Sequence, residues 1–302
     1  MKKLATLMLA LTATLSLAFA GETQVKNTYS QHYDFRDFTD LVVSNAFHVD
    51  FAFTDTWSVD VTVPDFIQKY LKVTCTGSKV RIGLEKLPRD VQRKLNDLKE
   101  PLKATVRMPK LLSLSLSGAV RMIAEGQQVL KDENLSIDLS GASKLESLVS
   151  SGNAILHLDV SGASKADIQA DFDLMNIDCS GASKITLNGN AGKVNLDCSG
   201  ASACHFNGGI LLANVDLGGS SKVTVTDKIG QLKLDQSGAT KFEATSEVAD
   251  ADVEVSGASK CKLAVTEKLH YELSGASTLR VKNLGAKISG EQSRGSKLDF
   301  ER

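Results

Sequence analysis

The chain has 302 residues, 42% of them hydrophobic, 24% charged and only 5% aromatic, and its 35 Lys and Arg nearly balance its 36 Asp and Glu. That balance argues against nucleic acid as a partner, because such binding rests on clustered Lys and Arg neutralising phosphates. Beyond the N-terminus no run of about twenty apolar residues occurs, so no integral membrane helix is expected in the body of the chain.

In chain order, the first element begins with Lys2 and Lys3, runs apolar from Leu4 to Leu17 and closes on Ala18-Phe19-Ala20. A short apolar core between a basic start and a small-x-small box is the pattern that signal peptidase cleaves. Residues 1–20 are therefore expected to be a signal peptide, with Gly21 as the mature N-terminus; an uncleaved anchor is the alternative. The expected address is the periplasm or the cell surface of a Gram-negative bacterium. Five cysteines (Cys75, Cys179, Cys198, Cys204 and Cys261) form an odd set at no metal-ligand spacing. Most are expected to be buried small hydrophobes rather than disulfide partners.

Residues 21–110 are expected to form a β-rich N-terminal cap continuous with the repetitive region beyond it. Leu41 to Phe53, Val59 to Val63, Leu71 to Thr74, Val80 to Leu84, Ala104 to Met108 and Leu112 to Leu116 alternate apolar and polar residues, the signature of strands. Pro88 to Glu100 reads as a short helix with Val91, Leu95 and Leu98 on one face. Glu125 to Glu133 reads as a polar insertion. An uncovered end of a repetitive sheet exposes pairing groups, so this region is expected to cover one end of the repeat.

Residues 111–302 are dominated by copies of Ser-Gly-Ala-Ser-Lys. The corner glycines stand at 141, 162, 181, 200, 219, 238, 257 and 275, with steps of 21, 19, 19, 19, 19, 19 and 18 residues. A weaker copy precedes them at Ser117-Gly118-Ala119 and a decayed one comes after them at Ser289-Gly290. Each unit holds two short alternating stretches, as in Ile185 and Leu187, then Val194, Leu196 and Cys198, turned by Asn188-Gly189-Asn190. Nineteen residues leave no room for a helix, and each apolar position recurs in the next unit, so each needs a neighbouring coil for burial. The expected architecture is an all-β parallel β-helix with coils of about nineteen residues, some 4.8 Å apart. Glycine supplies φ > 0 at every corner, and the adjacent alanine is expected to be small because the next coil lies close. Counting from the corner places Ser147 in an inward column with Ile168 and Leu187, and Gln236 stands out as a polar exception in another.

The opening FRDFTDLVVSNAFHVDF, the segment ATVRMPKLLSLSLSGA and the serial SGAS corners resemble the putative auto-transporter adhesin, head GIN domain family, common in Bacteroidetes, from about Tyr33 to Phe300. The resemblance implies a right-handed single-stranded β-helix and an adhesin-like role, and it brings no catalytic residues. Most members carry SGSGD at the corner where this chain has SGASK, so a role for that second glycine or the acid does not carry over. The repeat and its cap occupy some 300 residues, and no autotransporter barrel is expected in addition.

Two charged columns result from the register. Asp138, Asp159, Asp178, Asp197, Asp216 and Asp235, continued by Glu254 and Glu272, line one outward face, while Lys144, Lys165, Lys184, Lys222, Lys241 and Lys260 come just after the corner. The acidic ladder could hold divalent cations or dock an extended polymer; it could equally be a solvated face whose carboxylates pair with the corner lysines and discourage sideways association. Cys179 and Cys198 share a column in adjacent coils, with stacked thiols favoured over a strained bridge. Aromatic platforms are scarce, and Trp57, Tyr29, Tyr33 and Tyr70 all fall in the N-terminal third, with Trp57 the candidate ligand contact. The serine and lysine of SGASK do not have the S-x-x-K spacing, and the five histidines do not recur with the repeat. No catalytic residue, cofactor or metal site is expected. The favoured function is an exported, non-catalytic adhesin-like or structural protein of the cell envelope, with a glycan or a surface protein as partner. The alternative is a polysaccharide lyase or hydrolase, which rests on fold analogy alone.

Overall fold

In a computed structural model, residues 28–98 and 102–301 are described; the expected signal peptide, 1–20, lies outside them. From Ser113 onward the chain winds as a parallel β-helix, in which each coil contributes two runs of strand that pair in register with the coils on either side. In the coil from Gly181 these runs are Lys184–Asn188 and Ala191–Cys198, and elsewhere they fuse into one bent strand, as in Lys144–Val160. The inward columns from Leu145 to Leu279, Ile137 to Tyr271 and Leu139 to Leu273 are buried apart from the half-buried Tyr271, and they open only in the last coil, at Gly290, Gln292 and Leu298.

The corner geometry explains the repeat. Gly162 has φ of 70°, and a Cβ there would come within 2.5 Å of the Gly141 carbonyl oxygen. The same carbonyl accepts the Ala163 amide at 2.7 Å, so the corner carries a coil-to-coil hydrogen bond that only glycine leaves room for. The alanine of each corner is exposed, contrary to the expectation that the next coil constrains it; the constraint falls on the glycine backbone one residue earlier. The second serine points inward instead. Ser143, Ser164, Ser183, Ser202, Ser221, Thr240, Ser259 and Ser277 form a buried hydroxyl column.

That column also accounts for Gln236. The Gln236 side chain is fully buried, its Nε2 donates to Thr240 Oγ1 at 3.1 Å, and Thr240 is bonded in turn to Ser259 Oγ at 3.0 Å. Its Oε1 has no hydrogen-bond partner among the described residues. Ser147, placed by the repeat in an inward column, is exposed with φ of 61°, and Leu148 takes its place opposite Ile168. This coil is two residues longer than the one after it; the bulge at Ser147 takes up one of them and a second irregularity between Gly152 and Ile155 takes up the other, which keeps the apolar register.

The N-terminal coils stack out of sequence order. Asp40–Val43 lies between Lys79–Leu84 and Ser113–Leu116, parallel to both, and Phe47–Phe53 lies likewise between Leu102–Met108 and Arg121–Glu125. The expected single strand from Leu41 to Phe53 is broken at Ser44-Asn45-Ala46, where Asn45 has φ of 72° and its carbonyl accepts the Ala119 amide at 2.7 Å. Asn45 thus stands where glycine stands in later coils, as the residue type that best tolerates this conformation after glycine. Antiparallel strands edge this end of the stack: Leu71–Thr76 along Lys79–Leu84, and Ser58–Pro64 then Thr28–Tyr33 beyond Leu102–Met108. The predicted helix is present as Arg89–Leu98, with Val91 and Leu95 partly buried against the core.

The expected insertion at Glu125 to Glu133 is part of a coil, since Gln128–Leu130 pairs in parallel with Ser150–Gly152. Gln128 is buried because its amide imitates a backbone neighbour, accepting from Leu111 N and donating to Leu111 O, both at 2.9 Å. At the opposite end, Lys287–Gln292 and Lys297–Glu301 pair on one side only and carry a charge at nearly every second position, a pattern that blunts an open edge. No helix of the described residues is long and apolar enough to cross a membrane.

Candidate functional site

Parallel pairing aligns Asp138, Asp159, Asp178, Asp197, Asp216, Asp235, Glu254 and Glu272 in eight successive coils, and the register extends the ladder to Glu291. All nine side chains are exposed on the same outward face. Like charges one coil apart repel: desolvation, together with the neighbours Asp138 and Asp178, holds the Asp159 carboxyl above its usual range. Asp216 is raised in the same way, by desolvation and then by Asp235 and Asp197. Two residues earlier, Asn176, Asn195 and Asn214 form a second ladder, in which each Nδ2 donates to the preceding Oδ1 at 2.8 and 2.9 Å. Acid and amide columns together make a straight polar face whose repeat equals the coil spacing of about 4.8 Å.

The carboxylates do not pair around the corner. Lys144 and Lys241 bond instead to Glu146 and Glu243, two residues ahead on their own strands, and none of the six ladder aspartates, Asp138 to Asp235, has an ion-pair partner among the described residues. No group of three His, Cys, Asp or Glu among the described residues is placed to hold a metal ion. A single file of carboxylates fits an extended ligand better than a closed cation cage, which needs six or more oxygens around one point.

Beside this face, toward the C-terminal coils, lies a groove of about 720 Å³ lined by Lys193, Lys233, Lys268, Lys287, Asp250 and Leu212, among others. These lysines do not share one repeat position: Lys193, Lys268 and Lys287 fall in one column, interrupted by Leu212, Gln231 and Asp250, while Lys233 falls in the asparagine column. A search for recurring residues passes over them for that reason. The signal that finds them is the loss of repetition itself.

Trp57 is partly buried against the core, and its indole Nε1 donates to the Phe38 carbonyl at 3.0 Å. Tyr29, Tyr33 and Phe66 line a separate hollow of about 550 Å³ near the antiparallel edge, away from the ladder, and neither Trp57 nor Tyr70 is among the residues that line it. A serine, a carboxylate and a histidine also meet here. Asp60 Oδ1 lies 2.8 Å from His32 Nδ1, and Ser58 Oγ donates to Asp60 Oδ2 at 2.8 Å. The carboxylate sits between the other two, so the imidazole does not contact the hydroxyl as a base must. Desolvation works to raise the Asp60 carboxyl, but the hydrogen bonds from His32 and Ser58 and the charges of His32 and Arg107 hold it below the usual range.

Cys179 and Cys198 face each other in register and are free, as are Cys75, Cys204 and Cys261. Burial pushes the Cys204 and Cys261 thiols far up, and the hydrogen bond to Cys179, with burial, does the same for Cys198.

The family model described as putative auto-transporter adhesin, head GIN domain, matches residues 37–214 and again 205–285, most of the chain. Similar solved structures include a putative adhesin from Parabacteroides distasonis ATCC 8503 (12% identity, 91% of this chain and 97% of that one, TM-score 0.49). A putative adhesin from Bacteroides fragilis NCTC 9343 has 13% identity over 91% of this chain and 98% of that one, with a TM-score of 0.44. A putative lipid binding protein from Parabacteroides distasonis ATCC 8503 has 10% identity over 92% and 98%, with a TM-score of 0.43. No curated protein matches the chain.

Proposed function

The chain belongs to the putative auto-transporter adhesin, head GIN domain family, and we infer that it is an adhesin-like binding or structural protein of the cell envelope that works without catalysis. The observation that carries this reading is the straight outward face, where carboxylates recur in nine successive coils, those from Asp138 to Asp235 without ion-pair partners among the described residues. Repetition of one weak contact along a rigid rod suits an extended partner, since each added contact is made within an already formed complex. A unique catalytic constellation would instead break the repeat. Export by residues 1–20 and an address at the periplasm or surface belong to the same proposal.

The test is an array of glycans and extracellular-matrix proteins probed with the full chain, with and without calcium, beside the variant Asp159→Asn/Asp178→Asn/Asp197→Asn and the variant Trp57→Ala. Binding that falls with the triple variant supports the ladder as the contact face. Binding that falls only with Trp57→Ala moves the site to the N-terminal third, and a blank on every spot removes the binding role.

A further inference from the structure

We propose that the lysine-lined groove beside the ladder is a binding site for a segment of acidic polysaccharide, an assignment that rests on the binding reading above and gives it a ligand class. Lys193, Lys233, Lys268 and Lys287 line it, and none of the four has an ion-pair partner among the described residues. Lys193 and Lys287 stand five coils apart in one column, a span of about 24 Å at the usual strand spacing. Lys233 lies two coils beyond Lys193, and Lys268 two coils further. A ligand that meets all four is therefore elongated and carries negative charge at intervals.

A second feature narrows the chemistry. Asp250 lies in the same groove, in register between Gln231 and Lys268, and its buried Oδ1 has no hydrogen bond among the described residues. That oxygen is closed to a ligand, but the half-buried carboxylate as a whole lines the groove and makes no ion pair among the described residues, so the groove favours a ligand that donates as well as accepts. Leu212 and Ile288, both partly exposed, offer apolar contact between the charges. A polyhydroxylated polyanion meets every demand: its acid groups accept from the lysines, a hydroxyl donates to Asp250, and ring faces cover the leucine and isoleucine. An acidic peptide fits less well along most of the groove, because the strands that carry Lys193, Leu212, Lys233, Asp250 and Lys268 are paired on both sides and only Lys287–Gln292 offers its backbone an edge to join.

The experiment is fluorescence anisotropy of labelled hexagalacturonate titrated with the full chain at low salt, beside its methyl ester, which keeps the backbone and removes the charge, and beside hexaglutamate. The variants are Lys233→Gln/Lys268→Gln and, as a control of equal charge change at exposed lysines outside the groove, Lys131→Gln/Lys282→Gln. The proposal expects the acid to bind, at least about tenfold weaker binding in the groove variant, a similar loss on esterification, and less than about twofold change in the control. Equal loss in both variants, equal binding of the ester, or hexaglutamate binding as tight as the saccharide would each overturn it. If none of the probes binds while the array gives other ligands, the groove assignment falls alone; if the array is also blank, the binding reading falls with it.

Discussion

Gly218 and Gly219 are neighbours in one corner, yet the fold asks opposite things of them. Gly219 has φ of 68°, and a Cβ there would lie 2.6 Å from the Gly200 carbonyl oxygen, the acceptor of the Ser220 amide at 2.7 Å. Gly219→Ala therefore incurs the left-handed cost of about 1–2 kcal/mol and endangers a hydrogen bond worth about 0.5–1.5 kcal/mol. The expected loss is about 2–3 kcal/mol. Gly218 has no atom within 4 Å of a Cβ and occupies the serine position of the repeat. Gly218→Ala should be neutral or stabilising by about 0.4–1 kcal/mol, because it narrows the unfolded ensemble without native strain. Urea denaturation of the two variants gives the global values, and native-state hydrogen exchange at Ser220 reads the local effect, which matters in a stack where each coil touches only its neighbours. Equal destabilisation by the two substitutions, or protection at Ser220 unchanged in Gly219→Ala, would refute the corner argument.

The same physics gives three other expected outcomes. Gln236→Leu removes a buried carbonyl oxygen without a partner and leaves Thr240 bonded to Ser259, so denaturation should show a gain of about 1 kcal/mol; a loss would mean that the amide is fully satisfied. Asp159→Asn/Asp216→Asn should stabilise at pH 7 by about 0.5 kcal/mol, since like charges stand directly opposite across the strands. Both carboxyls are raised in the folded state, so ionising them costs the wild type stability above their folded pKa, and the cost disappears below the ordinary carboxylate range, where both states are protonated. The advantage of the double variant should therefore vanish near pH 3 and shrink in high salt; an advantage independent of pH would contradict the charge origin. A thiol reagent should label Cys75 in the folded protein and the other four only after unfolding, and a mass lower by two hydrogens would reveal a Cys179–Cys198 bridge instead.

What could be read beforehand was whatever repeats at short range. The corners, the inward columns and the acidic ladder come from a period of nineteen, because each coil faces the same neighbours as the last. Ser44-Asn45-Ala46 escaped because asparagine, rather than glycine, makes that corner, and only its contact with Ala119 reveals it. Gln128 looked like surface because its partner, Leu111, is distant in sequence. The inverted order of the first two coils leaves no local trace at all, since parallel pairing is set by whole-chain topology. Ser147 shows the converse limit: strict counting placed it inward, while burial of Leu148 decided the register. The lysine groove belongs to the same class, since it exists only where coils several steps apart are compared side by side.

The most direct test of the account couples binding to product analysis. The full chain is immobilised on a quartz-crystal surface, exposed to each polysaccharide that scores on the array, and the eluted ligand is sized by mass spectrometry. The account predicts capture that falls when Asp159, Asp178 and Asp197 are changed to asparagine, with the ligand recovered at its original length. Shortened ligand, or capture indifferent to the ladder, would contradict it.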